Sequence, residues 1–193
     1  MLERIVRKLV NLLQKNGLVS LEEYEEFSYV LLGNAESLLV IISILLIGII
    51  IGQGMPTVSF LIYFFALRRK TGGYHLNSYC KCYICTVCLY VFITVFSYLV
   101  FKYEKIVISC AVIAGLIIMY IGNINHPNMD LEVEEAHELK ISARIIVVLE
   151  ILAIFFMKWL GNMELIITYS SMAIILCATL LIIAKLVGQE VKK

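Results

Sequence analysis

The sequence predicts an all-α integral membrane protein, with about six transmembrane helices preceded by amphipathic N-terminal helices. Three observations carry that expectation. Hydrophobic residues make up 61% of the chain against 16% charged, and the mean hydropathy of +0.92 lies outside the usual range for a soluble domain. Six segments approach the roughly 20 apolar residues that a spanning helix needs. With the N-terminus inside, 13 of the 16 Lys and Arg residues fall on the cytoplasmic side, as the positive-inside rule expects.

Taken in order, Met1 to Lys15 is charged throughout and has no uninterrupted apolar core or small-residue cleavage site, so the start is expected to be retained. Leu2, Ile5, Val6, Leu9, Val10 and Leu13 recur at helical spacing with charged and amide residues opposite, the pattern of an interfacial amphipathic helix. Contact with lipid and ordinary packing against the bundle both fit that pattern. Gly17 is a plausible stop, and Ser20 with Glu23 forms a capping-box pattern for a second helix. The spans are expected at 37–52, 54–67, 82–101, 106–122, 145–161 and 164–187. The second is the weakest, because Gln53, Gly54 and Pro56 leave about a dozen strongly apolar residues before Arg68. Only Lys102, Lys105 and Lys158 would lie outside, which puts both termini in the cytoplasm. Neither an internal repeat nor a linker breaks the chain, so residues 1–193 are expected to form one domain: 1–34 cytoplasmic or interfacial helices, 35–193 the bundle.

The formal charge of +1 argues against nucleic acid as a partner, since topology and anionic lipid account for the basic clusters. Six cysteines remain to be sorted. In apolar surroundings a thiol stays neutral, so Cys85, Cys88, Cys110 and Cys177 read as small packing residues, and a cytoplasmic location disfavours disulfides. The run Cys80, Cys82, Cys85 and Cys88 does not suit zinc, because at about 100° per residue Cys80 points away from Cys82 and Cys85, so no metal or cofactor is expected. Near the basic loop, Lys81 and the arginine pair could favour a thiolate, with His75 as its base. On residues alone both Cys80 and Cys82 are candidates for that nucleophile. A straight helix from His75 to Cys82 would hold the two side chains about 10 Å apart along its axis, too far for proton transfer. A working pair needs a break in the helix, and Gly72 and Gly73 can supply one.

The stretch Arg68-Arg69-Lys70-Thr71-Gly72-Gly73-Tyr74-His75-Leu76-Asn77-Ser78-Tyr79-Cys80-Lys81-Cys82 resembles the active-site segment of the accessory gene regulator B (AgrB) family, membrane proteases that process quorum-sensing peptides. The likeness extends over nearly the whole chain in length and organisation. It implies that His75 is the catalytic histidine and selects Cys82 over Cys80 as the nucleophile, with Arg69 and Gly73 on positions associated with an intact site. It further implies an AgrD-like precursor peptide as substrate, a bacterial plasma-membrane location with lipid as partner, and a homodimer. The implied reaction removes the precursor's C-terminal tail through an acyl-enzyme thioester and closes a thiolactone or lactone. One departure is the loop Asn123 to Glu135, acidic where family members often carry a strongly basic, proline-containing loop. His126 and His137 read as solvated loop residues. Glu150 interrupts the apolar run Ile145 to Phe156 at a depth similar to that expected for Cys82, and could orient the histidine, pair with a basic loop residue or meet water. Two other function classes fit a polytopic chain, a small peptide exporter and a non-catalytic membrane scaffold; an exporter's site would sit at mid-bilayer between repeated halves.

Overall fold

The structure, a computed structural model, describes residues 2–20, 23–74, 78–124 and 133–189. Every regular element among them is helical, and the all-α expectation holds. The chain divides into two compact units, Met1–Ile44 and Leu45–Lys193.

The first unit holds α1 (Leu2–Lys15) and most of α2 (Tyr24–Ile50). The apolar stripe of α1 is divided between two surroundings. Val6 and Val10 are buried against Leu32, with Leu31 and Ala35 beside them, while Ile5 and Leu9 stay exposed. Gly17 stops the helix with a positive φ of 72°, and a Schellman pair closes it: Gly17 N–H donates to Gln14 O and Leu18 N–H to Leu13 O. The capping box is present too. Ser20 N–H donates to the Glu23 carboxylate at 3.2 Å, and Glu23 N–H donates back to Ser20 Oγ at 3.3 Å.

The second unit is built on α3 (Gly54–Thr71), α4 (Tyr79–Val100), α5 (Glu104–Ile121), α6 (Val133–Leu160) and α7 (Glu164–Leu186), with a single 3-10 turn at 101–103 joining α4 to α5. The helix α7 lies at the centre and touches each of the other four. Small residues along it, among them Ser170, Ala173, Cys177 and Ala184, are fully buried and let neighbouring backbones approach closely. Contacts fix the helix directions. Ser59 meets Ser170, Phe64 O accepts from Cys177 Sγ, and Tyr74 N–H donates to Leu180 O, so α3 and α7 run the same way. Tyr90 meets Thr57 and Tyr98 meets Gln53, so α4 runs opposite to α3. Glu104 pairs with Lys158 and Met119 O accepts from Arg144, so α5 and α6 are antiparallel.

Three stretches are long and apolar enough to cross a membrane: Phe27–Ile50, Cys80–Ile121 and Glu164–Leu186. Of the remaining helices, α1 is too short, and α3 and α6 carry too much charge to qualify by that measure. Arg68, Arg69 and Lys70 end α3, and α6 contains Arg144, Glu150 and Lys158. Two local expectations are corrected. His137 is exposed, but on α6 rather than a loop, because the helix extends back to Val133 with Glu134 and Glu135 favourably placed in its first turn. Cys85, Cys88 and Cys110 are exposed on their helices, and only Cys177 is a buried packing residue.

Candidate functional site

Helix α3 ends because Gly72 and Gly73 both take positive φ, 63° and 117°, a conformation that interrupts the helical ladder. The next described helix, α4, starts at Tyr79, with extended backbone at Ser78. Ser78 stands between His75 and Cys82, so its extended backbone, rather than the glycines upstream, is the non-helical residue described within that interval. His75 itself falls in 75–77, outside the described residues, as does His126.

Arg68 organises the segment leading to His75. From the last turn of α3 its guanidinium reaches forward, donating from Nη1 to Gly72 O and from Nη2 to Tyr74 O at 2.7 Å. Two further backbone bonds tether the same stretch: Tyr74 N–H donates to Leu180 O on α7, and Ile124 N–H to Thr71 O, each about 3 Å long. Gly73 is buried under the arginine, and a Cβ there would collide with Arg68 Nη1. The backbone angle favours glycine at 73, and a methyl there would displace the guanidinium.

Cys82 lies in the first turn of α4, its N–H donating to Ser78 O at 3.0 Å. Its side chain is half-buried, whereas Cys80 is exposed. The N-terminal turn of a helix favours a thiolate, because unpaired N–H groups concentrate positive potential there. Thr86 Oγ1 donates to Cys82 O at 2.9 Å and braces that turn. The Cys82 sulfur is within electrostatic range of Arg68. Burial pulls the guanidinium below its ordinary value. One cation thus joins the loop before His75 to the thiol on α4.

The other expected residues are placed as follows. Arg69, next to the clamp in sequence, is exposed. Glu150 is buried on α6, within electrostatic range of Tyr63 and Cys177, and neither carboxyl oxygen has a hydrogen-bond partner among the described residues. Sequence reasoning singled out Arg69 and missed Arg68. The available signal was spacing: an arginine four residues before Gly72 can fold over a helix C-terminus and reach the carbonyls beyond it.

A family model described as accessory gene regulator B matches residues 6–186. The chain belongs to the AgrB family. The match runs from α1 through α7, so the site segment and every helix that positions it lie inside the region shared with AgrB proteins. No curated protein and no solved structure matches the chain. Family membership together with the apolar helices makes this a membrane protein in a quorum-sensing setting, in a family generally associated with peptide processing.

Proposed function

We propose that this AgrB-family chain is a membrane cysteine endopeptidase that cuts the C-terminal tail from an AgrD-like precursor and closes the remaining core into a thiolactone or lactone. The observation that carries the reading is the arginine-clamped loop: Arg68, which holds the segment running into His75, lies within electrostatic range of a half-buried thiol at a helix N-terminus.

In the proposed reaction His75 takes the Cys82 proton and the thiolate attacks the carbonyl at the end of the future signal. The tetrahedral intermediate collapses, the C–N bond breaks, and His75 returns its proton to the departing amine. The thioester left on Cys82 keeps the acyl group activated. An internal Cys or Ser of the bound peptide then attacks, its proton passing to the Cys82 sulfur as the ring closes. Apolar surroundings favour this intramolecular attack over hydrolysis. Arg68 and Gly73 hold the loop, and Arg69, exposed beside them, is available to a precursor's acidic tail. No cofactor takes part.

The proposed topology has six crossings, one for each helix from α2 to α7, with both termini cytoplasmic. The alternating helix directions support it, as does the concentration of 13 Lys and Arg on the inner side. In this arrangement the ends of α3 and α7 and the start of α4 face the cytoplasm, from which the precursor approaches. Two copies are proposed to act as a homodimer in the plasma membrane.

The reading is tested by co-expressing a tagged AgrD-like precursor and following its mass. Cys82→Ala should abolish tail removal while Cys80→Ala retains it; tail removal by Cys82→Ala would overturn the assignment. Glu150→Gln separates two roles for that carboxyl. A group that orients His75 loses processing at normal abundance, whereas one that only packs the bundle changes abundance and processing together.

A further inference from the structure

A groove of about 500 Å³ runs between α5 and α6. The buried Ile108 and the half-buried Val112 form its floor, and the exposed Ile113 and Phe155 its walls. Lys105 and Lys158 stand together at one end, because α5 and α6 are antiparallel and Lys158 donates to the Glu104 carboxylate. From Lys105 to Ile113 the helix rises about 12 Å, most of the roughly 15 Å depth of one leaflet's hydrocarbon. The groove is therefore charged at its mouth and apolar along the rest.

That mouth has the marks of a membrane–water boundary. Tyr103 shortly precedes Lys105, Trp159 follows Lys158, and both aromatic side chains are exposed, the placement of an aromatic belt. The charges here are unevenly matched. Lys158 gives one N–H to Glu104 but keeps 45% of its side-chain surface exposed, so two further donors remain. Lys105 is exposed and makes no ion pair among the described residues. Lys102 lies just ahead of it in the 3-10 turn. Glu164, at the start of α7, is the other acid at this end, and it lines no part of the groove. Lys102, Lys105 and Lys158 are the cations that the proposed topology leaves outside, against the general inward bias, and the fold gathers them at the end of one helix pair.

From these observations we infer that the α5–α6 groove binds one anionic phospholipid, its phosphate between Lys105 and Lys158 and one acyl chain along Ile108, Val112, Ile113 and Phe155. A soluble anion would satisfy the lysines but leave the apolar floor uncovered. A zwitterionic lipid would cover the floor but bring a further cation to the lysine pair. An anionic lipid such as phosphatidylglycerol meets both needs, and it supplies Lys105 with the counter-charge that the fold does not. The site is independent of Cys82 and of peptide processing. Only its assignment to the outer leaflet rests on the proposed topology.

Two measurements on the full chain test this. Trp159 is the chain's single tryptophan, so its quenching by brominated lipid in reconstituted membranes reports on lipid at the groove mouth without a label. Brominated phosphatidylglycerol in a phosphatidylcholine bilayer should quench it more than brominated phosphatidylcholine at the same mole fraction. Lys105→Gln should lower that preference about fivefold, the effect of one surface lysine, and Lys15→Gln on α1 should leave it unchanged. Equal quenching by the two lipids, or equal losses in the two variants, overturns the proposal. Protection of Trp159 from both lipids also overturns it, by placing a second copy of the chain over the groove. The second measurement is the thermal midpoint in detergent. Added phosphatidylglycerol should raise it and phosphatidylcholine with the same chains should not. Ser109→Trp, which fills the groove at an exposed position and keeps both lysines, should abolish the rise. A rise that persists in Ser109→Trp, or no rise in wild type, refutes the groove as the site. Neither assay contains the precursor, so failure of the Cys82 assignment would leave both results unchanged.

Discussion

Replacing Gly73 by alanine should lower precursor processing by about a hundredfold, the order of loss that accompanies an ångström-scale displacement of reacting groups. Two structural terms produce it. The backbone at 73 has a φ of 117°, where a Cβ adds about 1–2 kcal/mol of strain. The added methyl also collides with Arg68 Nη1, so the guanidinium must release Gly72 O, and one charge-assisted hydrogen bond contributes about 1.5–3 kcal/mol. Together these reach roughly 2.5–5 kcal/mol, confined to the loop that leads into His75. Gly72→Ala carries positive-φ strain too, at 63°, and its Cβ would stand 3.0 Å from the backbone oxygen of Ile124. The assay is tail removal from a tagged precursor, normalised to membrane abundance. Processing by Gly73→Ala at the wild-type rate would refute the reasoning. So would full additivity of Gly73→Ala with Arg68→Ala, since a methyl that acts through the guanidinium loses part of its effect once the guanidinium is gone.

Arg68→Gln should reduce processing at least tenfold more than Arg69→Gln in the same assay, because position 68 supplies both clamp bonds and position 69 is exposed; equal losses would remove the clamp from the account. Lys158→Ala should lower stability in detergent by about 3 kcal/mol, the low end for stripping a buried carboxylate of its partner, since Lys158 keeps 45% of its side-chain surface exposed while Glu104 keeps 8%. The double variant Glu104→Gln/Lys158→Met should recover most of that loss, as read from thermal midpoints.

The all-α class and the later helices were legible in the sequence because apolar length and flanking charge are local properties, whereas the second N-terminal helix and the first span, expected apart, form the single helix α2. Gly17 and the Ser20–Glu23 box were legible for the same reason, each being settled by a few adjacent residues. Which face of each helix turns inward was not. In a membrane the outward face is as apolar as the core, so composition gives no contrast between the exposed Phe92 and the buried Ile93 on α4. The cysteines show the consequence: Cys85, Cys88 and Cys177 look alike in sequence, yet only Cys177 is enclosed. The beginning of α6 was misread because Asp130 to Glu138 is acidic and resembles a solvated loop, although acids in a first turn also stabilise a helix start. At the site, the glycine break and the thiol on α4 followed from spacing. The choice between two adjacent arginines did not, since it depends on which one folds back over the end of α3, a matter of three-dimensional reach.

The most direct test of the central claim traps the intermediate. A precursor whose core lacks its internal Cys or Ser nucleophile cannot cyclise, so the acyl group should accumulate on the enzyme. Intact-mass and peptide analysis should then find the precursor core attached to Cys82, released by hydroxylamine and missing in His75→Ala. An adduct on Cys80, or tail removal with no enzyme-bound acyl species, would contradict the account.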